Sequence, residues 1–166
     1  MSQVVAQAGA SDKPQFVFAH IFVPHPPFIF GRNGEERRID FSYFRNFSEA
    51  KLQRLRSAYV DQLIYVNKAI ERVVEGILAN SPEPPIIIIQ ADHGLRLSNN
   101  HDVDEICIKE VMGILTAIYY PDPDKRVSLY PQISPVYTIR QTLNSYFGAQ
   151  LPRLPDLAYI SQKNDM

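Results

Sequence analysis

Cysteine occurs once, at Cys107, so the chain forms no internal disulfide and holds no Cys-x-x-Cys pair for a thiolate metal site. Flanked by Ile106 and Ile108, it reads as a small buried hydrophobe and points to neither an oxidising nor a reducing compartment. Charge of one sign is also missing. Seventeen basic and eighteen acidic side chains leave a formal net charge of −1 and a pI near 6.4. That balance excludes a global basic field for nucleic acid or an anionic membrane. The local basic groups, Arg37-Arg38 and Lys51, Arg54 and Arg56, read as a solvated helix face. No apolar run reaches the length of a membrane span. Residues 1–13 lack the basic start and long apolar stretch of a signal peptide and read as a disordered lead-in. The chain is then either cytoplasmic as it stands or part of a longer one with its targeting segment upstream. Internal repeats and low-complexity tracts are absent. So are a Gly-x-Ser-x-Gly elbow, a phosphate-binding glycine loop and a His-Glu-x-x-His helix, which removes the common nucleophile, nucleotide and zinc-protease signatures.

What is present is the composition of one soluble domain: 166 residues, 45% hydrophobic and 21% charged. Its most informative stretch is Ile86-Ile87-Ile88-Ile89-Gln90-Ala91-Asp92-His93-Gly94. Four consecutive β-branched residues predict a strand buried on both faces, as in the middle of an α/β sheet. Asp92 and His93 then stand at the carboxyl end of that strand, where open α/β sheets place their ligands. They offer one hard oxygen and one borderline nitrogen to a divalent metal. Equally, Asp92 can cap a turn and His93 can be a satisfied surface histidine. Gly94 would let the chain leave with almost any φ.

Residues 16–23 predict a second buried strand, ended by Pro24 and the His25-Pro26-Pro27 loop. Residues 28–47 are irregular and rich in Arg and aromatics, long enough to suggest a functional loop. A long helix follows, with Ser48 as N-cap, an apolar stripe from Leu52 through Leu55, Tyr59, Leu63, Val66, Ile70 and Val73 to Ile77, and Gln62 on its polar face. Asn80-Ser81-Pro82 ends it. Strand, helix and strand make a βαβ unit with parallel strands, which would bring the His25 and Asp92-His93 loops to one sheet edge. After an acid-rich loop at 95–105, residues 113–120 predict another strand, and Ser134 or Pro135 opens a helix that Gly148 stops. The tail from 151 to 166 has little regular pattern.

His25, in a rigid proline-flanked loop, could contact an anionic substrate. His20 alternates within its strand and reads as a core histidine rather than a ligand, while His101-Asp102 could supply a further ligand. Lys109 and Arg96 could contact a phosphoryl or sulfuryl oxygen, or could simply face solvent.

The ordered set of 16–23 strand, His25-Pro26-Pro27-Phe28, long helix, 86–91 strand and Asp92-His93-Gly94 resembles the C-terminal half of the sulfatase-like catalytic domain of the alkaline phosphatase superfamily. Those enzymes carry a His-x-Pro-type loop and later a Ser-Asp-His-Gly or Ser-Asp-Asn-Gly loop; here Ala91 precedes Asp92. Tyr119-Tyr120-Pro121, Ile133-Ser134-Pro135-Val136, Ile139-Arg140 and Leu154-Pro155-Asp156 also look like bacterial membrane-associated sulfatase-like proteins. The resemblance implies a three-layer α/β/α sandwich of alkaline phosphatase type over residues 14–160, truncated by its N-terminal half, with residues 161–166 as a tail. It also implies a divalent metal (Zn, Mn, Ca or Mg) held by Asp92 and His93, and His25 on the phosphate or sulfate group of an ester substrate. The family attacks that group in line with a Thr, Ser or formylglycine nucleophile carried on earlier strands. No such motif occurs in these residues, so the expectation is a metal-dependent hydrolase or transferase portion that is inactive alone. Its partners would be the ester substrate and an N-terminal half or partner chain, and the parent would be membrane-associated with this domain outside the cytoplasm. Two other readings remain. One is a non-catalytic interaction module that pairs through an exposed sheet edge. The other is a compact metallohydrolase using His20, His25, Asp92, His93 and His101.

Overall fold

The computed structural model describes residues 2–8, 13–37, 48–95, 105–125 and 130–159. They fall into two compact units, Met1–Pro84 and Pro85–Met166. Among the described residues no helix is long and apolar enough to cross a membrane.

The first unit is built on α2, Glu49–Asn80, 32 residues and about 48 Å long at 1.5 Å per residue. Ser48 stands at its N-cap, but through its carbonyl, which accepts from the amides of Lys51 (2.9 Å) and Leu52 (3.0 Å), and not through its hydroxyl. At the other end the Ser81 hydroxyl donates to the Ile77 carbonyl at 2.7 Å and Pro82 follows, so the helix stops where the sequence indicates. A short helix α1, Ser2–Gln7, precedes it where composition alone suggests a disordered lead-in. Its Val5 packs at Gly76 of α2: a methyl group there would meet Val5 Cγ1 at 2.9 Å. Six residues make too weak a helix to read from propensity, and it is the surface of α2 that gives it a seat.

Residues 16–23 are the largest departure. They carry no strand pairing among the described residues, and residues 16–22 lie exposed, Phe16 at 92% and Phe22 at 72%. β-branched and aromatic composition suits a strand, but a strand exists only when a neighbour takes its backbone N–H and C=O groups. Among the described residues no second strand does so here, and the Phe22 carbonyl is taken by the His25 amide in a turn.

The second unit holds the one sheet of the described residues, β1 (Ile87–Gln90) with β2 (Thr116–Tyr119). The pair is antiparallel, with Ile87 opposite Tyr119 and Gln90 opposite Thr116, so the parallel βαβ pairing expected for β1 is replaced by one to a later strand. β1 is half-buried along its length rather than buried on both faces. Both strands are four residues long, shorter than the apolar runs that contain them. Between them lies α3, Glu105–Met112, in a stretch that the sequence leaves unassigned beyond its acid-rich start.

α4, Pro135–Phe147, matches its local signals. The Ser134 hydroxyl accepts from the Tyr137 amide at 3.1 Å, Pro135 opens the first turn, and Gly148 closes the helix in the left-handed region at φ 66°. Its buried face is polar by composition: Thr138 and Thr142 are buried, and the Thr142 hydroxyl meets the Tyr120 hydroxyl at 2.8 Å. Tyr120 stacks on Tyr146 at 5.4 Å, just beyond β2.

Residues 151–156 of the irregular tail are tied down along α4. Asn144 and Leu151 exchange two hydrogen bonds (2.9 and 3.0 Å), Arg140 Nε donates to the Pro152 carbonyl at 3.1 Å, and Asp156 accepts from the Ser134 amide at 2.8 Å and from the Tyr130 hydroxyl. The chain therefore runs back antiparallel to the helix, and Leu154-Pro155-Asp156 places a carboxylate at the entry to α4. The Tyr130 hydroxyl and the Ser134 amide together hold the Asp156 carboxyl below the usual carboxylate range. The same hydrogen bond, with a smaller contribution from burial, pushes the Tyr130 hydroxyl up. Asp156 stabilises the folded chain fully above the ordinary aspartate value of about 3.9, and that contribution is lost as pH falls through its lowered folded value. Tyr130 contributes fully below about 10, and loses it as pH rises through its raised folded value. Thermal unfolding followed against pH should show a plateau with a falling limb at each end. In Asp156→Asn both limbs should flatten, and an unchanged profile would show that the pair carries no linkage.

Candidate functional site

Asp92, His93 and Gly94 follow one residue after β1, and two backbone hydrogen bonds pin the segment that contains them. The Ala91 amide donates to the Leu115 carbonyl at 2.9 Å, and the Gly94 amide to the Val111 carbonyl at 2.6 Å. Asp92 and His93 thus form a tip between two anchors, both on the stretch from the end of α3 to β2. Glycine at 94 answers a need for space. Its φ lies outside the left-handed region, and a Cβ there would come within 2.0 Å of the Glu110 carbonyl oxygen and 2.8 Å of that of Gly113.

Within the tip, Asp92 Oδ1 accepts from the His93 amide at 3.0 Å. His93 Nδ1 lies 2.7 Å from the Gly94 carbonyl oxygen. A carbonyl only accepts, so Nδ1 is the donor in this contact, and in the neutral ring the lone pair then falls on Nε2. That nitrogen is 3.8 Å from Asp92 Oδ2, with the two side chains 51% and 88% exposed. Nitrogen and carboxylate ligands sit about 2.0–2.2 Å from a bound zinc ion, so two donors on one ion are at most about 4.3 Å apart. At 3.8 Å the pair lies inside that limit. One imidazole and one carboxylate also suit a divalent ion of borderline or hard character. Among the described residues no group of three or more His, Cys, Asp or Glu side chains converges on a metal position. His101, Asp102 and Arg96 lie outside the described residues. Lys109 is on α3 with its side chain exposed.

His25 belongs to the first unit, Asp92 and His93 to the second. His25 sits in a loop with cis peptide bonds at Val23-Pro24 and Pro26-Pro27. Its amide donates to the Phe22 carbonyl at 2.9 Å, and its Nδ1 donates to the Pro26 carbonyl at 2.5 Å. With Nδ1–H committed, Nε2 can donate to an anion only from the protonated ring. His20 is exposed, not in a core: its ring lies 4.8 Å from that of Phe22, which stands edge-on to His25 at 6.3 Å. The reason is that of the missing strand, since a side chain is buried only if its strand is covered.

What holds the His25 loop was not visible as a motif. Phe28 is buried to 1% exposure and meets Tyr59 of α2 edge-on at 5.7 Å. Gln62, expected on the polar face of the helix, is fully buried. Its Oε1 accepts from the Phe30 amide at 3.2 Å and its Nε2 donates to the His25 carbonyl at 3.5 Å. Beside it Asp61, 8% exposed, takes Arg32 Nε (2.9 Å) and NH2 (2.7 Å) on one oxygen and Arg37 on the other. These guanidiniums hold the Asp61 carboxyl below the usual carboxylate range. They also fix the turn at 29–37, where Gly31 and Arg37 amides donate to the Glu35 and Ile29 carbonyls. One signal for Gln62 existed: it stands three residues after Tyr59 and four before Val66, inside the apolar stripe.

A family model described as Sulfatase matches residues 1–122, a span that takes in His25, Asp92 and His93. No curated protein and no solved structure matches the chain. Members of that family have an α/β fold of alkaline phosphatase type, generally use a divalent metal and act on sulfate esters. With the match covering most of its length, the chain belongs to the sulfatase family.

Proposed function

We propose that this chain contributes part of the site of a metal-dependent sulfatase-like hydrolase or transferase acting on phosphate or sulfate esters. Asp92 and His93 are two of its metal ligands, and His25 binds the phosphate or sulfate group. The proposed frame is the three-layer α/β/α sandwich of the family. The observation that carries this reading is the Asp92–His93 tip, with its two donor atoms 3.8 Å apart at the end of β1 and within the family match. A divalent ion, when bound, neutralises charge on the transferring group and lowers the pKa of an attacking oxygen. These residues carry no Cys, Ser or Thr in the family's nucleophile setting, so the 166-residue chain by itself is proposed to bind the ion without turnover. Zn2+ and Mn2+ titrations should show binding to the chain that His93→Ala abolishes, alongside no hydrolysis of an aryl sulfate or aryl phosphate. Absence of binding would overturn the ligand assignment. Robust hydrolysis lost in His93→Ala would overturn the claim of inactivity.

A second reading, a non-catalytic module that pairs with another chain through an exposed sheet edge, draws support from residues 16–22, where Phe16, Phe18 and Phe22 are exposed.

A further inference from the structure

Asp92 and His93 are exposed, yet their positions are not left to a free loop. Both residues flanking the tip, Ala91 and Gly94, donate their amides to carbonyls at the end of α3 and just beyond it, those of Leu115 and Val111. The last turn of α3 is itself closed by the Gly113 amide on the Lys109 carbonyl at 3.0 Å, and just beyond it the Ile114 amide donates to the Met112 carbonyl at 3.0 Å. Gly94 is pressed so closely on this turn that even one methyl group would have to displace backbone carbonyl oxygens. The end of a helix that meets the tip is its carbonyl end, which carries partial negative charge and favours a nearby cation. The carbonyl of the same residue lies 2.7 Å from His93 Nδ1.

We infer that the C-terminal turn of α3 positions the Asp92–His93 pair through Gly94, and that the Gly94 carbonyl keeps His93 as the Nδ1–H tautomer so that Nε2 is the atom offered to a divalent cation. The inference rests on the reading of Asp92 and His93 as ligands. Gly94 is here a positioning residue: it contributes no donor atom of its own to the ion. A histidine ligand whose second nitrogen donates to a carbonyl has its ring orientation and tautomer selected by that bond, and losing such a partner typically costs 10–100-fold in metal affinity.

The test uses the full chain and two readouts. Long-range 15N–1H correlation spectra of the neutral imidazoles report the tautomer of His93, and calorimetric titration with Zn2+ reports affinity. The wild-type chain is expected to show the Nδ1–H tautomer. Gly94→Ala is expected to lose that preference and to bind Zn2+ about 10–100-fold more weakly, with the amide signals of Phe28 and Leu55 in the first unit unmoved. An Nε2–H tautomer in the wild-type chain overturns the inference whether or not Zn2+ binds, which keeps the test decisive even if Gly94→Ala does not fold. Equal Zn2+ affinity in the variant and the wild type overturns it as well. A wild-type chain with the Nδ1–H tautomer that binds no Zn2+ overturns the ligand reading instead.

Discussion

Phe28→Ala is expected to destabilise the first unit by about 3–5 kcal/mol, the usual cost of emptying a fully buried phenylalanine site. The ring is 1% exposed and edge-on to Tyr59, and the chain before it runs through Pro24, Pro26 and Pro27, whose fixed φ angles limit collapse into the hole. Against a total stability of roughly 5–15 kcal/mol for a domain, a loss of this size removes much of the margin. Denaturant unfolding should show the midpoint falling with little change in slope. Ile29→Ala, one residue on and 39% exposed, should move it far less. A shift below about 1 kcal/mol for Phe28→Ala would mean that the ring is not the plug of this loop in solution. Because the same ring holds His25-Pro26-Pro27 on α2, the variant should also broaden the His25 imidazole signals.

Removing the carboxylate that gathers two arginines is the second large effect. Asp61→Ala leaves Arg32 and Arg37 without their shared acceptor. A fully buried pair broken in this way costs about 3–5 kcal/mol. Here, however, the arginine side chains are 59% and 32% exposed and can turn to water. The expected cost is therefore about 1–3 kcal/mol, the range for losing hydrogen bonds to a charged group. The pH dependence has a definite sign. Asp61 is held below the ordinary value of about 3.9, so its contribution is complete above that pH and is lost as pH falls through the lowered folded value. Wild-type stability should thus fall with acid in this window, and Asp61→Asn should be weaker at neutral pH yet fall less steeply. Parallel acid limbs in the two proteins would show that the Arg32–Asp61–Arg37 contact does not hold in solution.

Features coded within one or two turns were legible. Ser134, Pro135 and Gly148 bounded α4, and the apolar stripe with Asn80-Ser81-Pro82 bounded α2, because caps and periodicity act on neighbours three or four residues away. The Asp92-His93 pair was also legible, as an abrupt acid and imidazole after four isoleucines. α3 was not: eight residues give two turns, and Ile106 and Ile108 about Cys107 suggest alternation as readily as a helix. Gly94 was noticed but for the wrong reason. Conformational freedom is a local property, whereas the backbone of Glu110 and Gly113 lying against it is not.

By itself the sequence determined the two longer helices, the places where strands could form and the donor types at the site, since each follows from residues close together in the chain. Tertiary structure decided the rest: that β1 pairs antiparallel with β2, that residues 16–22 remain exposed, that Gln62 is buried against the backbone of His25 and Phe30, and that the end of α3 anchors the Asp92–His93 tip. Pairing, burial and close approach depend on which distant backbone arrives alongside, and an apolar run states only that some surface must cover it.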